Sequence, residues 1–124
     1  MNKFDLEERL IKFAVNVINI TDKLYTSYAG VHLAKQLIRS GTAPALNYAE
    51  AISAESRKDF IHEVKIALKE LRETLICLRI ISEKSLSKEL KLLESAVRES
   101  NELISIFVTS IKTAKQNELS KSKI

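Results

Sequence analysis

The chain has 124 residues, with 20 Lys and Arg against 16 Asp and Glu for a formal net charge of +4, and only two glycines, one proline and one cysteine. That length suits one domain with one core, and so few turn residues exclude a many-turned β protein, whereas the Leu, Ile, Ala, Glu and Lys content suits long helices. A lone cysteine excludes an internal disulfide, and no segment offers the ~18 uncharged apolar residues of a membrane span.

The expectation is therefore an all-α protein. The start, MNKFDLEERL, has no cationic stretch followed by an unbroken apolar run, so the expected location is cytoplasmic, with no membrane contact. Mild basicity permits an anionic partner without requiring one.

Asp5 with Glu8 three residues later reads as a capping box that starts the first helix. Leu6, Leu10, Phe13, Val17, Ile20 and Leu24 then form one apolar seam, and Ile11, Ala14, Val15 and Ile18 carry apolar character well past half the circumference. A helix of a small monomeric bundle keeps a broad polar back, so this surplus predicts contact with another subunit.

The second helix is expected from near Ser27, with Val31, Leu33, Ala34, Leu37 and Ile38 on its apolar side. Ser40-Gly41-Thr42 then predicts a break or kink, because glycine can end a helical run and Thr42 can cap the next. Pro44 fits the first turn of a second arm over residues 43–53.

Ser56 with Asp59 caps the third helix, expected to run to about Ile81. Its stretch SRKDFIHEVKIALKELRET sorts into three faces. Ile61, Val64, Leu68, Leu71, Leu75 and Leu78 make a packing seam; Lys58, His62, Lys65, Lys69 and Arg72 make a cationic edge; Glu63, Glu70 and Glu73 gather on a third face.

Ser85 or Ser87 caps the fourth helix, whose Leu90, Leu93, Val97, Ile104, Phe107 or Val108, Ile111 and Ala114 continue the spacing to about Lys115. Asn101 interrupts that seam, as a register-setting polar residue does. The chain thus divides into one domain over residues 1–116 and a frayed basic tail over 117–124. Short connections between long helices favour antiparallel neighbours, hence an up-and-down four-helix bundle with a kinked second helix.

Catalysis is not expected. His32 and His62 are the only neutral-pH bases, and two histidines with Cys77, unpaired in spacing, make no zinc site. Ser-Gly-Thr lacks the lysine and further glycines of a phosphate loop. No metal or other cofactor is implied, and Cys77, beside Leu75 and Leu78, reads as a small buried hydrophobe.

Two groups of residues stand out instead. Lys58, Lys65, Lys69 and Arg72, with Arg57 and Arg79 at the border, are spaced to meet successive phosphates of RNA or DNA. The bland reading of this row is a solvated face, with Lys69 paired to Glu73. Around the expected kink, Arg39, Asn47 and Glu50 can satisfy one another or reach Glu70 and Glu73; functionally such a group makes a small-ligand pocket, structurally it locks the second helix to the third, and the structural reading is the expectation.

KQLIRSGT (Lys35 to Thr42), NYAEA (Asn47 to Ala51), SRKDFIHEVKIALKELRET and SIKTAK (Ser110 to Lys115) occur in this order and spacing. Together they resemble the four-helix-bundle proteins encoded within intervening sequences of bacterial 23S ribosomal RNA genes, over about Asp5 to Gln116. The resemblance implies a left-handed bundle that assembles as a ring, commonly a homopentamer, with no established enzymatic activity. That family is in turn similar to accessory proteins of diversity-generating retroelements, basic pentameric barrels that bind nucleic acid and work with a reverse transcriptase. By that analogy of fold alone, a reverse transcriptase is a further conceivable partner.

The family's characteristic positions fall here on Arg39, Ser40, Gly41, Thr42, Asn47, Glu50, Asp59, Phe60, Lys65, Lys69 and Glu70. The chain departs from the family at Ala43, Pro44, Ala45 and Leu46, where a glycine is usual. Helix crossing, subunit contact or ring size at that place can differ accordingly. The leading expectation is a ring-forming bundle that binds RNA or DNA through the third helix; the rival is a protein-interaction scaffold whose cationic row keeps it soluble or meets an acidic partner.

Overall fold

The computed structural model describes residues 1–122, with side chains to residue 119. Four helices follow one another: α1 (Lys3–Asp22), α2 (Tyr28–Ile52), α3 (Arg57–Glu83) and α4 (Leu90–Ser122). Each packs on its neighbours in sequence, and α1 also meets α4, which closes an up-and-down four-helix bundle.

The seam of α1 lies inside as its spacing predicts: Leu6, Leu10, Phe13, Val17, Ile20 and Leu24 are all buried. Its cap stands one turn earlier than expected. Asn2 Oδ1 accepts from the Phe4 and Asp5 amides at 2.9 and 3.0 Å, and the Asp5 carboxylate accepts from the Asn2 N–H at 3.2 Å. Asp5 is thus the acidic third residue of the capping box and not its cap.

Ser27 caps α2 by accepting from the Gly30 amide at 3.0 Å. The expected break at Gly41 is absent, and α2 runs unbroken past it with Pro44 inside. Lacking an N–H, Pro44 leaves the Ser40 carbonyl without its intrahelical donor, so any bend in α2 belongs at this one missing bond. Neither glycine takes positive φ. Gly41 is there for close approach: a Cβ at this position would stand 2.6 and 2.8 Å from the two methyl carbons of Val17. The glycine is a crossing point of α1 and α2.

Ser56 caps α3 by accepting from the Asp59 amide at 3.1 Å. The helix stops in a closed turn in which Ser85 takes φ 56°. There the Leu86 amide donates to the Ile81 carbonyl at 3.0 Å and the Ser85 amide to the Ser82 carbonyl at 3.1 Å, while Leu86 and Ile81 are both buried. Neither candidate serine stands at the first turn of α4: the Ser87 hydroxyl accepts from the Glu89 amide at 3.1 Å in the turn just before the helix, and the first helical bond runs from the Leu93 amide to the Glu89 carbonyl.

The α4 seam holds at Leu93, Phe107, Ile111 and Ala114 and is displaced by one residue between the first two. Leu93, Ala96, Leu103, Phe107, Ile111 and Ala114 are buried, whereas Leu90 is exposed and Val97 and Ile104 are half-buried. Asn101 points to solvent; the buried polar residue is Ser100, which donates to the Ala96 carbonyl at 2.8 Å and so needs no partner across the bundle. The helix also runs past Lys115 to Ser122, so the expected tail is helical as far as it is described, and Lys123 and Ile124 lie outside the described residues.

Arg9 ties α1 to α4. Its Nε and Nη2 each donate to Glu99 at 2.7 Å, and Nη2 also contacts Glu102. The Arg9 hydrogen bonds hold the Glu99 carboxyl below its usual range against the opposing effect of burial. A carboxylate with a depressed folded pKa stabilises the fold above its unfolded pKa, and that contribution disappears as pH falls through the folded value. Urea unfolding of the wild type should therefore lose an increment of stability below about pH 4.5 that Glu99→Gln does not lose; parallel pH profiles would contradict this.

Candidate nucleic-acid interface

The outer face of α3 carries the charged row. Lys58, His62, Lys65, Lys69 and Arg72 are all exposed, as their offset from the Val64, Leu71 and Leu78 seam requires. From Lys58 to Arg72 the row spans about 21 Å at the rise of an α-helix.

What frees this row is the position of Arg39. From α2, its Nη1 donates to Glu70 at 3.0 Å and its Nη2 to Glu73 at 2.6 Å. Glu73, which stands at i,i+4 from Lys69, and its neighbour Glu70 are thereby turned towards α2. Lys69 does not pair with Glu73, and among the described residues Lys58, Lys65, Lys69 and Arg72 have no carboxylate within ion-pair distance. The two carboxylates raise the Arg39 guanidinium above its ordinary value, chiefly through the hydrogen bond to Glu73.

Sequence spacing did not reveal Lys115 of α4. It stands close enough to Lys65 that its charge, first of all, and its hydrogen-bonding reach push Lys65 below the usual lysine range. Two neighbouring ammonium groups add to the local positive potential, which an approaching phosphate would relieve. Arg57, at the border of the row, instead contacts Glu118 of α4 at 3.8 Å.

Asn47 and Glu50 do not join the Arg39 cluster. Glu50 is exposed, and the buried Asn47 Oδ1 has no hydrogen-bond partner. The unbroken course of α2 is the reason: without two arms folded about Gly41, these residues lie two to three turns further along the helix than Arg39. Cys77 is buried, as its place in the seam suggests, and desolvation raises its thiol above the ordinary value. His32 and His62 are both exposed, on different helices. No described helix is long and apolar enough to cross a membrane.

Residues 2–108 match the sequence profile described as 23S rRNA-intervening sequence protein. The chain belongs to that family. The 23S rRNA-intervening sequence fold is seen again in the crystal structure of a protein of unknown function, assigned to the S23 ribosomal protein family, from Bacteroides thetaiotaomicron. It is 31% identical, superposes with a TM-score of 0.81, and the alignment covers 90% of this chain and 99% of that one. No curated protein sequence matches. The family profile and this neighbour carry no enzymatic assignment.

Among the described residues of this family member, a groove of about 810 Å³ opens between α2 and α3, directly beside the charged row. Leu33, Leu68, Ile76 and Cys77 line it, Lys65, Lys69 and Arg72 border it, and Ser40 lies within it. The Ser40 hydroxyl is buried and makes no hydrogen bond. Such a group costs about 1–3 kcal/mol for as long as it stays unsatisfied. No periodicity argument points to it, since Ser40 occupies a core-facing position where a small apolar residue would pack equally well.

Proposed function

We propose that this protein is a non-enzymatic, cytoplasmic, self-associating helical bundle that binds RNA through the outer face of α3. One observation carries the reading: Arg39 takes up Glu70 and Glu73, while Lys58, Lys65, Lys69 and Arg72 keep their charge unopposed. Four cations on a straight rod suit a run of backbone phosphates, and nothing in their arrangement selects a base sequence.

Fluorescence anisotropy with a labelled RNA, titrated over salt, tests it. The logarithm of the binding constant should fall linearly with the logarithm of salt concentration, with a slope of about −3 for four phosphate contacts. Absence of binding at low salt, or binding indifferent to salt, would remove the reading.

Self-association has its own support. Ile11, Val15 and Ile18 of α1 are 43, 51 and 41% exposed, a stripe that a solitary bundle has no reason to keep apolar. A homopentamer is the favoured assembly by resemblance to the family, and light scattering should report a multiple of the 14.0 kDa chain. The same stripe supports the rival reading, a protein-interaction scaffold without nucleic acid; a partner retained after nuclease treatment, together with no RNA binding, would favour it.

A further inference from the structure

We propose that the groove between α2 and α3 receives unstacked bases, so that the ligand of the charged row is single-stranded rather than duplex RNA; this rests on the reading given above. A duplex offers a protein rod phosphates, 2′-hydroxyls and base edges, but keeps the faces of its bases closed in the stack. A phosphate track alone would need only the row of cations. Here the row borders a groove of about 810 Å³ with an aliphatic floor, within the about 300–1,000 Å³ typical of small-molecule sites. A strand lying with its phosphates on Lys65, Lys69 and Arg72 can turn its bases across α3 onto Leu33 and Leu68, where a flat, weakly hydrated ring displaces water.

Two further features fit a base and not a phosphate. Arg39 is exposed, yet both ends of its guanidinium are fixed by Glu70 and Glu73, which leaves a pre-oriented plane at the groove wall. Guanidinium planes are stacking surfaces for splayed RNA bases. Beside it, Gln36 and Ser40 line the groove. An amide and a hydroxyl both donate and accept, as base edges require, and the Ser40 hydroxyl has no partner within the protein. The groove contains no aromatic ring, so the Arg39 plane is the stacking element this chain supplies.

The test compares an oligouridylate, which stacks poorly on itself, with an RNA duplex of equal length at the same salt. Electrostatics alone favours the duplex, whose charge density is higher. The expected result is the opposite order, with the single strand bound about tenfold more tightly through stacking. Arg39→Lys, which keeps the charge and loses the plane, and Gln36→Ala, an exposed substitution, should each narrow that ratio at unchanged helical circular dichroism. Equal or weaker binding of the single strand, or a ratio that neither variant moves, overturns the groove proposal and leaves the charged row standing. Failure of both RNAs to bind at low salt overturns the row and the groove together.

Discussion

Reversing Lys65, Lys69 and Arg72 together to Glu should weaken RNA binding by about 10²–10³-fold, with no change in helical circular dichroism. The three side chains are exposed and make no ion pair among the described residues, so the fold does not depend on them. Each reversal removes a phosphate contact and adds repulsion in its place, next to a Lys115 that then has an acid to pair with. The reversals also carry a chain of formal net charge +4 past neutrality, so a control of equal charge is needed. Lys12, Lys88 and Lys91 are exposed elsewhere on the bundle, and reversing those three should cost far less affinity. Equal losses from the two triple variants would mean that overall charge, and not the outer face of α3, attracts the RNA.

Substituting Gly41 by Ala should destabilise the bundle by up to about 2 kcal/mol, the remainder of two opposed effects. Alanine in place of glycine favours a helix interior by about 1 kcal/mol. Against this, the new Cβ would stand 2.6 and 2.8 Å from the Val17 methyl carbons, and overpacking of this kind costs about 1–3 kcal/mol. The clash wins because Val17 is fully buried and β-branched, with both methyls in the way, so a change of rotamer gives little relief. Urea unfolding of the single variants and of Gly41→Ala/Val17→Ala closes the cycle. Removing the methyls should make the double variant more stable than the sum of the two single losses, by at least about 0.5 kcal/mol. Simple additivity would place the strain elsewhere.

Most of the architecture was legible because long helices repeat their signal. In α1 and the turn that follows it, six seam positions agree, and all six are buried; Ser27 and Ser56 cap where their sequence context places them. The misreadings share one cause, a residue with two physical uses. Asn2 followed by Asp5 and Asp5 followed by Glu8 both satisfy a capping-box pattern, and only the backbone decides between them. Gly41 can end a helix or let two helices touch, and the second use depends on Val17, a residue 24 positions away in sequence. In α4, the crowded apolar run Leu103, Ile104, Ile106 and Phe107 fits two seams one residue apart, and the spacing alone puts Asn101 inside where the fold puts Ser100.

The charged row was legible as spacing, because exposed faces follow the same periodicity as buried ones. Its electrical character was not. Whether Glu73 serves Lys69 or Arg39 is settled by where α2 lies, and no local pattern in α3 contains that information. Lys115 was missed for the same reason: its closeness to Lys65 is a product of α3 packing against α4.

The Arg39 clamp makes the surface potential of one helix the property of another. A lineage could dim or brighten the outside of α3 by drifting at position 39 while every lysine in the row stayed untouched, and a comparison of relatives restricted to basic residues would overlook the change. Conversely, counting Glu70 and Glu73 against the lysines beside them misjudges that surface, because their charge is spent on a guanidinium from the neighbouring helix.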